Sequence, residues 1–155
     1  MYSIAGGISN PSYSGSTDVL NRIAKDLTSF DAYVLCSCLD ETDLDPKIIY
    51  VTNEFEKLTG FSEKDILNES GSCEFLYGED TRQEHMQQIR TAVRNKLQLK
   101  SSVILYQKSG TAFIGGIEIE PIKTVSGTTA LLVFSIRIVA DLNDSKYTKN
   151  CFGKV

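Results

Sequence analysis

The sequence lacks an apolar run long enough to cross a membrane. A helical span needs about 18 consecutive apolar residues, and the longest candidate, residues 130–134, has only the length of a buried strand. An excess of positive charge is also missing. Lys and Arg number 16 against 20 Asp and Glu, for a net charge of -4 and a pI near 5.0. That balance excludes a general electrostatic pull toward nucleic acid or anionic lipid. Residues 1–16 contain neither a basic leader region nor a continuous apolar stretch, so they do not read as a secretory signal. Cysteine is sparse and irregularly spaced (Cys36, Cys38, Cys73 and Cys151). In a chain of this length the spacing does not read as a disulfide framework, and a reducing interior is expected. Histidine occurs once, at His85, and neither a Gly-rich phosphate loop nor an internal repeat is present.

What is present suits one folded domain. The chain has 155 residues, 41% of them hydrophobic and 23% charged, an ordinary balance for a globular protein and the wrong one for a disordered chain. A domain of this size buries roughly two thirds of the surface its unfolded chain exposes, so a substantial core is expected.

Residues 1–15 are rich in Gly, Ser, Asn and Pro and read as a loose arm. Ser16 and Thr17 offer a helix cap before Val19, Leu20, Ile23, Ala24 and Leu27, whose spacing puts them on one helical face. That stripe has to cover something, either its own domain or a partner. Residues 33–38 and 48–52 read as strands. The loop between them carries Asp40, Glu41, Asp43 and Asp45, without the mid-loop Gly and final Glu of an EF-hand, so it reads as solvated. Asn53 is the expected cap of a short helix carrying Phe55 and Leu58, with Gly60 ending it. Ser62 with Asp65 resembles a second cap. Thr81 with Glu84 forms a capping-box pattern for a longer helix to about Lys96, its buried face marked by Met86, Ile89 and Val93.

The last third reads as strand and turn. Residues 102–107 and 112–120 flank the Ser109-Gly110 turn, Pro121 is expected to end the second strand, and the Ser126-Gly127 turn leads into the most apolar strand, residues 130–139. Hairpin-length connections require antiparallel pairing, so the expected fold class is α+β: a five-stranded antiparallel sheet with helices on one face. Phe55, Leu58, Phe75, Leu76, Ile89, Tyr106, Phe113 and Leu132 are the expected core. Helices and sheet in such an architecture enclose a small apolar cavity, which either holds a ligand or is filled by side chains.

Candidate chemistry is thin. His85 has no patterned nucleophile and, with Cys36 and Cys38, no zinc-site spacing, so it reads as a solvated helix residue. Arg82, Arg90, Arg94, Lys96 and Lys100 gather around the long helix and read as a solvated face rather than a dock for an acidic partner. RNA binding is disfavoured because no stacking aromatics are grouped with them.

Tyr50, Asn53, Phe55, Leu58-Thr59-Gly60-Phe61 and the turn at residues 106–110 together resemble a PAS domain. Ser72-Cys73, Phe75-Leu76-Tyr77-Gly78, Asp80-Thr81, Glu84-His85 and Gln87-Gln88-Ile89 look like the eag domain of ether-a-go-go potassium channels, especially the Elk and Erg branches. Asn95-Lys96, Leu99-Lys100, Tyr106, Lys108 and Pro121-Ile122-Lys123 continue that likeness, and Leu20, Ile23 and Ala24 match the family's amphipathic cap helix. A weaker similarity connects the chain to LOV blue-light receptors.

The channel resemblance implies a regulatory module without enzymatic activity or cofactor. Such a module works on the cytosolic side of the membrane, docks on the cyclic-nucleotide-binding-homology region and adjusts gating. It also implies a PAS domain at residues 29–140, an arm with cap helix at residues 1–28 and a polar tail at residues 141–155. Val19, Leu20, Ile23 and Leu27 are then the contact residues. The LOV resemblance implies the alternative of a light or redox sensor with FMN, Cys73 being its reactive thiol. By that likeness Ser72, Glu74 and Tyr77 stand where LOV domains place Asn, Arg and Gln, and Leu105, Gly115 and Ser135 where they place Asn, Asn and Gln. Lost polar partners and Glu74 beside a phosphate disfavour the flavin, so Cys73 is expected to be an ordinary buried thiol.

Overall fold

The computed structural model describes residues 22–26, 28, 30–38 and 42–142. Its elements are β1 (Ala32–Ser37), β2 (Lys47–Val51), α1 (Asn53–Thr59), α2 (Glu63–Ile66), a 3-10 turn (Glu74–Leu76), α3 (Gln83–Asn95), β3 (Leu99–Tyr106), β4 (Ala112–Lys123) and β5 (Thr129–Asp141). The strands form one sheet in the order β2-β1-β5-β4-β3, with every neighbouring pair antiparallel. Residues 22–26 are helical. Val19, Leu20 and Leu27, the loop residues Asp40 and Glu41, and Cys151 lie outside the described residues.

Alternation along the strands separates two apolar layers. Val34, Cys36, Leu132, Phe134, Ile136, Phe113, Ile117, Ile119, Val103 and Leu105 face the helices and meet Phe55, Leu76, Ile89 and Val93 there. Tyr33, Leu35, Ile122, Leu131 and Val133 face the other way and are covered by Ile23 and Ala24 of the N-terminal helical segment. The long apolar run of β5 follows from this double burial, because a strand covered on both faces has no wet side to alternate with. Of the expected core, Phe55, Leu76, Ile89, Phe113 and Leu132 are buried. Leu58, Phe75 and Tyr106 are half-buried at its margin.

Three local expectations are corrected. The cap of α1 is Thr52, not Asn53. Its hydroxyl accepts the N–H of Phe55 and the N–H of Tyr33 and donates to the Tyr33 carbonyl, tying the helix to β1 with one side chain. The cap of α3 is Arg82, with no side-chain capping bond. Thr81 is spent elsewhere, accepting the Gly78 N–H and donating to the Ile104 carbonyl on β3. Pro121 does not end β4, which runs on to Lys123 opposite β5. The β3 ladder stops at Ile119, so Pro121 sits where β4 has become an edge, and an edge strand tolerates a missing N–H. Ser62 and Asp65 do form a reciprocal capping box, and Gly60 ends α1 at φ 79°.

Each sheet edge is held over part of its length. Beside β2, Ile48 donates to the Glu69 carbonyl, Asn68 to Ile48 and Gly71 to Pro46, so residues 68–71 cover that edge from Pro46 to Ile48 with backbone bonds. On β3 only the distal half is held, through Thr81 and through the Tyr106 hydroxyl, which accepts the Asp80 N–H.

Leu132 is 1% exposed between β1 and the helices. Leu132→Ala is expected to lower stability by about 2–5 kcal/mol through the cavity it leaves, read as the shift in equilibrium urea unfolding. A loss near zero would show that its side chain does not face the helices.

Candidate functional site

The segment carrying the densest motif, residues 70–81, lies between α3 and the β1–β2 hairpin. Its shape is set by close approaches. A Cβ on Gly71 would come within 2.8 Å of Cys36 Sγ and 3.0 Å of the Pro46 carbonyl. One on Gly78 would fall 2.3 Å from the Tyr106 ring. Both positions therefore need glycine for room. Cys73 follows with φ 55°, a left-handed conformation uncommon for a non-glycine residue. It starts the 3-10 turn without a side-chain cap.

Cys73 is fully buried and its thiol donates to the Gly71 carbonyl at 3.6 Å. Burial first, and then the neighbouring Cys36, pushes its pKa well above the usual thiol range. Cys36 is raised in the same way, by burial, then Cys38 and Asp45. Burial also pushes Cys38 up to about 11, with Lys96 pulling the other way. A protonated, enclosed thiol is a poor nucleophile. Among the described residues no group of three or more His, Cys, Asp or Glu is placed to hold a metal ion.

Above Cys73 side chains pair with one another around a surface cavity of about 330 Å³ whose walls include Asp45, Ser70, Ser72, Glu74 and Arg90. Arg90 on α3 forms an ion pair with Glu74, and its guanidinium lies 5.8 Å from the centre of the Tyr77 ring. The Tyr77 hydroxyl donates to the Ser72 carbonyl at 2.9 Å. Asp45 accepts from Lys47 and from the Ser70 hydroxyl. Because Ser70 donates there, it accepts from Ser72, 2.9 Å away.

A flavin does not fit these residues. Leu105 is fully buried in the apolar core, and with Phe113 it crowds Gly115, where an added Cβ would meet them at 3.0 and 3.1 Å. Glu74, at the position the LOV likeness gives to a phosphate-binding Arg, is acidic and already paired. Ser135 is not on the interior face at all. Its hydroxyl lies 2.9 Å from that of Thr28 and donates to the Glu118 carbonyl, on the side covered by the N-terminal segment. Its neighbours Phe134 and Ile136 are the residues that face the helices.

The N-terminal contact is built from several pieces. Ile23 is 8% exposed and Ala24 0%, against Tyr33, Leu35, Ile122, Ala130, Leu131 and Val133. Thr28 donates its N–H to the Ala24 carbonyl, and its hydroxyl accepts the Phe30 N–H. Arg137 then lies 5.3 Å over the Phe30 ring. Of the four expected contact residues only Ile23 falls within the described residues, and it packs on the chain's own sheet. The polar fastening through Thr28 and Ser135 left no pattern in the sequence, since its partners are 107 positions apart.

The basic residues do not form a free patch. Arg82 pairs with Glu84, Arg90 with Glu74, and Lys96 donates to the Asp43 carbonyl. Arg94 and Lys100 are without an ion pair among the described residues. His85 is half-buried rather than solvated, and its Nδ1 is shielded without a hydrogen-bond partner.

The five-stranded antiparallel sheet, with helices packed on one face and the N-terminal segment on the other, defines an α+β domain built around a buried apolar core. Residues 31–137 match the family described as PAS domain, and the chain belongs to that family. The PAS domain of the fruit-fly ELK potassium channel is similar at 34% identity and a TM-score of 0.69, over 78% of this chain and 97% of that one. A human voltage-gated inwardly rectifying potassium channel, KCNH3, is 36% identical over 94 residues, which are 61% of this chain and 9% of the channel. The light-state LOV domain of Aureochrome1 shares the fold with a TM-score of 0.65 at 20% identity, over 88% of this chain and 97% of that one. No helix among the described residues is long and apolar enough to cross a membrane.

In a Cys151→Ser background, Cys36, Cys38 and Cys73 are expected to be inert to an aromatic disulfide reagent at about pH 8 and to react together once the chain is unfolded. Alkaline conditions should destabilise the fold. Unfolded thiols ionise from their ordinary 9.0 upward, whereas folded Cys38 stays protonated to about 11. The folded state therefore binds more protons over that window, and stability is full below it and falls as pH rises through it. Gly78→Ala should cost about 1–3 kcal/mol by overpacking against Tyr106, measured by thermal and urea unfolding.

Proposed function

We propose that this PAS domain is a regulatory module that works by protein contact and adjusts the gating of a voltage-gated potassium channel. The observation that carries the reading is the likeness to the fruit-fly ELK channel domain over nearly all of that domain. The apolar core packed between sheet and helices and the enclosed, protonated thiols support it, because they give the surface more scope to act than the interior. The partner is the cyclic-nucleotide-binding-homology region of the channel, and the domain acts at the cytosolic face of the membrane. It is not an enzyme and it uses no cofactor. Docking shifts the closing equilibrium only by as much as it differs between channel states. Ile23 matters because it fixes the N-terminal segment on the sheet and so sets the contour that the partner meets.

The test is electrophysiological. This chain is supplied to an Elk-type channel from which the corresponding domain has been deleted. It is expected to restore the deactivation time constant, and Ile23→Glu is expected to shift that constant about fivefold, matching about 1 kcal/mol of lost differential docking. Permeation should be unchanged, because the contact lies outside any pore. Circular dichroism of the variant checks whether the fold is kept. Unchanged closing with an intact fold would defeat the gating role. An absorption spectrum of freshly purified chain tests the LOV alternative, and a flavin band that bleaches under blue light would replace the present reading.

A further inference from the structure

The β3 edge of the sheet carries an open stretch that points to a partner. Backbone groups of β3 alternate between β4 and the open side. Gln107 donates its N–H to Thr111 on the β4 side, whereas the Ile104 carbonyl takes the Thr81 hydroxyl on the outer side. No register shift interrupts β3. Lys100 and Ser102 therefore direct both their N–H and C=O groups outward, as Ile104 does. These four groups have no partner among the described residues. The opposite edge, β2, is covered by residues 68–71 from Pro46 to Ile48.

A groove runs beside this open stretch, between α3 and the start of β3. It is lined by Glu84 (paired with Arg82), Gln87, Gln88, Thr91 and Ala92 on one side and by Leu97 and Leu99 on the other. Leu97 is 51% exposed. Lys100 is exposed and has no carboxylate within salt-bridge distance, although Glu118 is its cross-strand neighbour.

We propose that the 100–102 edge of β3 accepts an extended strand from a protein partner, with acidic residues facing Lys100 and apolar residues alternating into the groove over Leu97 and Leu99. The added strand supplies backbone partners to four unpaired groups, and its period of two sends alternate side chains to opposite faces. Charge selects the occupant. A second copy of this edge would bring another lysine into the same three-residue window, whereas an acidic strand neutralises the one present. The inference rests on the reading of the chain as a contact module.

The test uses the 155-residue chain, labelled with nitrogen-15, and a capped eight-residue synthetic peptide alternating valine and glutamate. Expected are shifts and slowed hydrogen exchange at the Lys100 and Ser102 amides. Ser102→Pro removes only an outward N–H, so it should keep the fold and weaken the peptide about tenfold or more. A peptide N-methylated on alternate amides should lose the same affinity against the unaltered chain, which covers the case of a misfolded proline variant. Lys100→Glu should reverse the preference toward a valine–lysine peptide. Absence of shifts at these two amides, equal binding of the glutamate and lysine peptides, or self-association through the same amides would overturn the proposal. The titration involves no channel. If it fails while closing still responds to the domain, the edge assignment falls alone. If it succeeds while closing does not respond, the gating role falls and the edge stands.

Discussion

Strands β1 and β5 lie in the middle of the sheet with apolar side chains on both of their faces, so water has to be excluded from two sides at once. Helices α1 to α3 and the 3-10 turn satisfy one side. The other side depends on Ile23 and Ala24, whose short helical segment could not hold together in water without the sheet beneath it. Fold and N-terminal segment are thus mutually dependent: each supplies the burial that the other lacks.

Polar side chains act mainly as ties between elements. Thr52 joins α1 to β1, Thr81 joins the loop before α3 to β3, and Thr28 with Ser135 fastens the N-terminal segment. The motif residues of the family resemblance meet in the same way. Lys108 donates its N–H to the Thr59 carbonyl and Gln107 its side-chain amide to Leu58. The β3–β4 hairpin is thereby pinned to the end of α1, where Gly60 adopts its left-handed turn. Much of the shared pattern therefore reflects fold rather than ligand chemistry.

Elements with a strong period were legible in the sequence, because spacing of apolar residues reports burial directly. Caps were less so. Thr52 and Asn53 are both competent caps, and tertiary contact with Tyr33 decides between them; Thr81 had a competing acceptor on β3 that no local pattern reveals. Pro121 was misleading because a strand turns from central to edge along its own length. Ser135 lies in an unbroken stretch of the β4–β5 ladder in which Phe134 and Ile136 face the helices. The LOV likeness placed it by position in the sequence alone, and an offset of one residue moves a side chain to the opposite face.

The cover that residues 68–71 place over the start of β2 also bears on what kind of assembly the sheet can enter. Open-ended growth of a sheet from identical units needs an accepting border on both sides of each unit. Here the chain's own backbone occupies the Pro46–Ile48 part of one border, and Thr81 and Tyr106 hold part of the other, so each leaves only a short stretch for pairing. Short, interrupted borders disfavour the repeated edge-to-edge stacking that long, flat ones invite.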